Sequence, residues 1–141
     1  MTVGGEPEAP GWRAWLRVGA EREFAAGWAW AAPRCRTPHE RALLPPLLAL
    51  LLPWQAVVTP ARRGPDRVLD LRITFGRRDA SGRQHRRRFR VVSASREELP
   101  ADDAPVLWLS PDSLLADPWD AAARVVAWML AQLDATAPVE G

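Results

Sequence analysis

The chain has 141 residues, 48% of them hydrophobic, with 19 arginines against 17 carboxylates and a formal net charge of +2. That length fits one compact domain, and the apolar fraction is that of a globular chain rather than a disordered one. The single cysteine, Cys35, excludes an internal disulfide framework and a structural zinc site made of four cysteines or of two cysteines and two histidines.

Residues 1–10, MTVGGEPEAP, read as a flexible acidic arm without the basic-then-apolar order of a signal peptide. In GWRAWLRV, Trp12, Ala14, Leu16 and Val18 alternate with Arg13, Trp15 and Arg17, which predicts a strand. Phe24, Ala26, Trp28 and Trp30 alternate in the same way, so a second strand is expected, with GAERE as the hairpin loop. The alanine content makes helix the competing reading of this segment. TPHERALL then carries a helix start: Thr37 as N-cap, Pro38 at the first helical position and Glu40 completing a capping box. Pro45 and Pro46 interrupt the apolar run 42–54. Each removes a helix hydrogen bond at a cost of ~3 kcal/mol or more, so two short helices are expected, 38–44 and 46–52. The run is too short to span a bilayer, and no membrane contact is expected.

TPARRGPD reads as a loop. RVLDLRITF follows as a strand with Leu69, Leu71, Ile73 and Phe75 on one face and Asp70, Arg72 and Thr74 on the other. The return strand places Phe89 and Val91 inward and Arg88 and Arg90 outward, making 75–92 a β-hairpin with its tip near Ala80-Ser81-Gly82. One helical turn is expected at Ser95–Glu98 and a short buried strand at 104–110. Asp117 as N-cap and Pro118 at the first helical position open a helix over 118–134. Trp119, Ala122, Val126, Met129, Leu130 and Leu133 form its apolar face. Residues 136–141 read as a flexible tail, leaving 11–135 as the domain.

The expected fold is a single α+β domain: a mainly antiparallel sheet of about five strands with two helical segments on one face, in the order β-β-α-β-β-β-α. That order resembles profilin-like and secretion-chaperone-like domains, and the resemblance implies an adaptor role.

The chain contains no lysine, asparagine or tyrosine and one isoleucine. These residues use AT-rich codons, so a GC-rich, bacterial coding sequence is expected, and arginine in place of lysine carries no functional meaning. The clustering of arginine is a separate matter. Residues 62–90 hold eleven arginines and three aspartates, a net +8, whereas residues 97–141 hold one arginine and nine carboxylates, a net −8. Seven of the arginines, Arg77, Arg78, Arg83, Arg86, Arg87, Arg88 and Arg90, lie in the hairpin. They are the candidate partner- or phosphate-binding residues. A solvated hairpin face would account for them without any partner. An acidic partner protein would be steered and oriented by them, as would a second copy offering its acidic C-terminal segment. A nucleic acid would use them as phosphate contacts. Arg13, Trp15 and Arg17 form a second candidate surface, with the indole between two guanidinium groups.

Catalytic signals are weak. Cys35 and His39 are four residues apart with Thr37 and Glu40 nearby, so a Cys–His pair is conceivable, but the expected roles are a space-filling Cys35, an exposed His39, and Thr37 and Glu40 as helix caps. GRRDASG lacks the lysine and the strand-to-helix context of a phosphate loop. Asp102, Asp103, Asp112, Asp117 and Asp120 do not match a calcium loop. The expected function is therefore a non-catalytic, cytoplasmic adaptor or accessory subunit without cofactor or metal. Such subunits belong to bacterial multi-gene systems for secretion, defence or signalling. The competing expectation is a nucleic-acid-binding protein using the hairpin, and a Cys35/His39 hydrolase ranks behind both.

Overall fold

In the computed structural model, which describes residues 7, 11–16, 19–54, 56–61, 67–78, 80–94 and 105–136, the first half of the chain is helical. Trp12–Trp15 is a turn of 3-10 helix opened by Gly11 at φ 82°, and helix α1 spans Glu21–Ala31. The strands expected over 12–18 and 24–30 are thus corrected to helical segments; Arg17 and Val18 lie outside the described residues. The physical reason lies in EREFAAGWAWA. It has four alanines and no β-branched residue, and Glu21 and Glu23 face the positive end of the helix dipole. Its buried residues are Phe24, Trp28 and Ala31, spaced by four and three, while Trp30 is 44% exposed. The period-two pattern was formed by an alanine and a tryptophan that face outward.

Helix α2 (Pro38–Leu51) begins where expected: the Glu40 N–H donates to Thr37 Oγ1 at 3.1 Å, and the Arg36 N–H donates to Glu40 Oε1 at 2.7 Å. It then continues through Pro45 and Pro46 rather than breaking into two pieces. Leu43, Leu44 and Leu47 are fully buried, and both prolines are buried with them. Each buried leucine contributes ~1.5–3 kcal/mol, enough to offset two missing donors at ~3 kcal/mol each.

The sheet has four strands: β1 (Val57–Pro60), β2 (Arg67–Arg78), β3 (Gln84–Ala94) and β4 (Val106–Trp108), in the order β1-β2-β3-β4. Neighbours β1–β2 and β2–β3 are antiparallel, and β4 runs parallel to β3. The expected hairpin is present. Arg78 pairs with Gln84, the turn contains Ala80, Ser81 and Gly82, and Gly82 takes φ 83°, a conformation open to glycine. Strand β1 escaped the sequence reading, although Val57-Val58-Thr59 is a β-branched run. Short helix α3 (Pro111–Ala116) was also unforeseen, and α4 runs Pro118–Thr136. The class is α+β as expected. Among the described residues the strand count is four and the order is α-α-β-β-β-β-α-α, which differs from the order on which the profilin-like resemblance rested. The helical turn expected at 95–98 lies outside the described residues, as does nearly all of both expected tails.

One sheet face carries the core. Leu69, Leu71, Ile73, Phe89 and Val91 are fully buried in one cluster with Leu43, Leu44 and Leu47 of α2 and Ala122, Val125 and Met129 of α4. Trp128 meets the edge of Phe89 at 5.6 Å, and Trp12 stacks on Phe24 at 4.1 Å. Leu130, assigned to the apolar face of α4, is 37% exposed; Ala121 and Val125 lie inward instead. The start of α2 is tied to the end of the β1–β2 ladder. The Ala61 N–H donates to the Asp70 carbonyl at 2.8 Å. The reciprocal bond is replaced by a 3.5 Å contact from the Asp70 N–H to Glu40 Oε2, and the Ala61 carbonyl accepts from the Arg36 guanidinium at 2.6 Å. Glu40, 1% exposed, thus serves as helix cap and ladder terminus together.

Candidate functional site

Opposed residues in an antiparallel pair share a face. The β2–β3 register pairs Thr74 with Arg88, Gly76 with Arg86, and Arg72 with Arg90. All six lie on the sheet face away from the core. Ile73 pairs with Phe89 and Phe75 with Arg87 on the core-bearing face. The seven candidate arginines therefore do not form one surface.

Arg90 is a correction to the sequence reading. It points to the outer face, but it is 0% exposed and its Nε donates to Asp70 Oδ1 at 3.1 Å, with Nη2 bonded to the same oxygen. Asp70 is also fully buried. Arg90 and Asp70 are diagonal neighbours across the ladder, within reach of a long side chain. A carboxylate there neutralises a cation that would otherwise sit directly opposite Arg72. Arg90 is thus a structural residue rather than a docking one. Arg87 is half-buried on the core-bearing face beyond Phe75, so it is separated from Arg86 and Arg88 by the thickness of the sheet.

Arg86 and Arg88 remain. Both are exposed, and neither has an ion pair or hydrogen-bond partner among the described residues. Strand geometry places their Cα atoms about 6.8 Å apart on one face. Their ladder neighbours, Gly76 and Thr74, are small and uncharged. Arg83 is exposed at the turn. Arg77 and Arg78 pair in register with His85 and Gln84, but their side chains lie outside the described residues. Of the carboxylates of the C-terminal third, Asp112 lies on α3, Asp117 between α3 and α4, and Asp120 on α4, and α4 packs on the opposite face. Asp120 pairs with Arg124 at 2.9 Å and caps nothing in the hairpin. Residues 97–103, which hold four more carboxylates, lie outside the described residues.

The second candidate surface is rearranged. Arg13 lies 4.7 Å over the Trp12 ring. Trp15 is 55% exposed, and its ring stacks on Trp119 at 5.2 Å and 15°. Within the described residues the partner of the Trp15 indole is thus another tryptophan rather than an arginine pair, because the 3-10 turn replaces the extended chain that would have alternated them. Cys35 Sγ lies 3.5 Å from the Ala31 carbonyl oxygen, and His39 is half-buried in the first turn of α2. No group of three or more His, Cys, Asp or Glu side chains among the described residues could hold a metal ion. No described helix is long and apolar enough to cross a membrane.

Sequence reasoning missed a third feature, between α1 and β1. Trp30 and Val57 are exposed there beside an apolar groove, and Arg34 lies 4.0 Å over the Trp30 ring. The sequence signal was the Val57-Val58-Thr59 run, whose last residue had been taken as the first of the expected loop TPARRGPD. No family model, curated protein or solved structure matches the chain.

Proposed function

We propose that the protein is a non-catalytic adaptor that docks an acidic partner protein on the outer face of its sheet, with Arg86 and Arg88 as the orienting cations. The observation that supports this reading is their exposure without a carboxylate partner among the described residues, on the face away from α4. Two arginines with Cα atoms about 6.8 Å apart on one strand face match the spacing of carboxylates two residues apart on an extended segment. Such pairs at an interface set encounter rate and orientation more than raw affinity.

Nucleic acid is the competing occupant of the same face. Phe75 and Phe89 are buried on the core side, which leaves the hairpin without the exposed rings on which single-stranded bases stack. Phosphate contacts by three or four arginines would give a log K versus log salt slope of about −3 to −4 on a duplex.

Capture of a host protein by immobilised protein, compared with Arg86→Glu/Arg88→Glu, tests the reading. The expected result is loss of the captured species by the double variant and weakening of capture by salt. Undiminished capture by the double variant rules against this face. A gel shift at ~50 mM salt that depends on the same two arginines assigns the face to nucleic acid.

A further inference from the structure

The α1–β1 groove and the cationic outer face share a residue. Val57 pairs with Thr74, and Thr74 pairs in turn with Arg88. Opposed residues lie on one face, so Val57, Thr74 and Arg88 form a row across three strands on the face away from the core. Two strand spacings put the Cα atoms of Val57 and Arg88 roughly 10 Å apart. Val57 also lines the groove, together with Gly27, Trp30 and Leu48. The apolar cleft therefore begins at the edge of the surface that carries Arg88 and Arg86. The next row, Thr59, Arg72 and Arg90, is more closed: Arg72 is half-buried and Arg90 is buried against Asp70.

Each half of this surface lacks what the other has. The groove encloses about 210 Å³, and the described residues lining it are uncharged. That volume is below the ~300–1,000 Å³ of a small-molecule site, and it suits a side chain. Gly27 leaves its floor open: a Cβ there would meet only Leu48 Cδ2, at 4.0 Å. Trp30 and Val57 are 44% and 55% exposed. They offer on the order of 200 Å² of apolar surface, well below the ~800 Å² per partner of a stable interface. The groove alone cannot hold a protein. Arg86 and Arg88 can steer and orient one, but binding energy concentrates in apolar and aromatic anchors seated in pockets. Joined through Val57, the two halves supply an anchor pocket and a charged rim.

Charge selects the occupant. Arg34 is exposed and stacks on the Trp30 ring at 4.0 Å, which puts a cation on the α1 side of the groove as well. None of Arg34, Arg86 and Arg88 pairs with a carboxylate among the described residues. The matching surface is acidic around an apolar residue. A two-fold dimer would apply this patch to itself and set the arginines against their own copies. A head-to-tail contact with the described carboxylates does not close. Asp120 is moreover held by Arg124, and Asp117 accepts from the Asp120 N–H. Nucleic acid has no apolar side chain to offer the groove.

We infer that the α1–β1 groove and the outer face are one docking surface for an acidic protein, which seats an apolar side chain over Gly27 between Trp30 and Val57 and sets carboxylates against Arg88, Arg86 and Arg34. The inference rests on the cationic reading of Arg86 and Arg88 and adds the apolar anchor to it.

Two labelled probes of equal length test it by fluorescence anisotropy with the intact protein: polyglutamate, and a random copolymer of glutamate and tyrosine. Polyglutamate carries more charge, so a purely electrostatic surface binds it more tightly. The expected result is the reverse, with the copolymer bound at least tenfold more tightly. Val57→Ser, at an exposed position, and Gly27→Leu, which fills the groove, should each lose that preference. Arg86→Glu/Arg88→Glu should lose both probes. Equal binding, or tighter binding of polyglutamate, that disappears in the arginine variant overturns the inference and leaves the cationic reading standing. Failure to bind either probe, or binding that the arginine variant leaves unchanged, overturns the two together. A preference for the copolymer that persists in Val57→Ser and Gly27→Leu places the apolar contact elsewhere and overturns the inference. Self-association in sedimentation that Val57→Ser abolishes assigns the surface to a second copy and also overturns it.

Discussion

At the scale of residues, the Asp70–Arg90 pair shows how a charge can be placed correctly and read wrongly. Alternation along β3 puts Arg90 on the outer face, and that placement holds. Its burial follows from a partner 20 residues earlier in the chain, which no local pattern reports. Removing one member of a buried ion pair leaves an uncompensated charge and costs ~3–5 kcal/mol, whereas replacing both by apolar residues is close to neutral. Asp70→Ala is therefore expected to destabilise the protein by about 3–5 kcal/mol, while Asp70→Leu/Arg90→Met recovers most of that loss. Urea unfolding of the three proteins checks this, and equal losses in the single and double variants would contradict the pairing. Arg88, two residues away on the same face, has no such partner among the described residues, so burial and pairing distinguish the two arginines.

Elements differ in how much of their fate is local. The start of α2 was legible because a capping box is a property of four consecutive residues: the Thr37 hydroxyl accepts from the Glu40 N–H as that box predicts, while the Glu40 carboxylate reaches one residue further back, to the Arg36 N–H. Thr37→Ala is expected to cost ~1 kcal/mol, within the 0.5–2 kcal/mol range of lost N-caps, as measured by the urea midpoint. The passage of α2 through Pro45 and Pro46 was not legible, since it depends on what the leucines beside them bury against. For α1 the local signal was ambiguous: alanine, glutamate and the lack of β-branching spoke for helix, and a chance alternation of aromatics spoke for strand. Gly27 is the weak point of that helix, with room for a Cβ. Gly27→Ala is expected to stabilise the protein by ~0.5–1 kcal/mol through helix propensity and a less entropic unfolded chain. A lower thermal midpoint for Gly27→Ala would show that the position is more crowded than its neighbours indicate. Strand β1 was lost for a different reason. Four residues between a helix and a Pro- and Arg-rich stretch give too short a window for periodicity, and its pairing with β2 is what makes it a strand.

Across the whole molecule, the charge asymmetry of the sequence becomes a question of faces. Asp112, Asp117 and Asp120 sit on and between α3 and α4, on the side away from Arg86 and Arg88. Reversing those two arginines is therefore expected to leave the urea midpoint and the far-ultraviolet circular dichroism unchanged while altering capture of a partner. A substantial loss of stability in Arg86→Glu/Arg88→Glu would mean that the pair has a structural role like that of Arg90. By itself the sequence determined the β2–β3 hairpin, its tip, the caps of α2 and α4 and the inward set Leu69, Leu71, Ile73, Phe75, Phe89 and Val91. Turn chemistry, capping and period-two burial act over a few residues, so a linear pattern can carry them. Only the tertiary structure decided that Arg90 is buried, that Trp15 stacks on Trp119, that the proline-bearing helix stays whole, and that an edge strand and a glycine meet to leave an open groove. Each of those outcomes depends on residues from separate elements being brought together, and the free energy that settles it comes from packing between them.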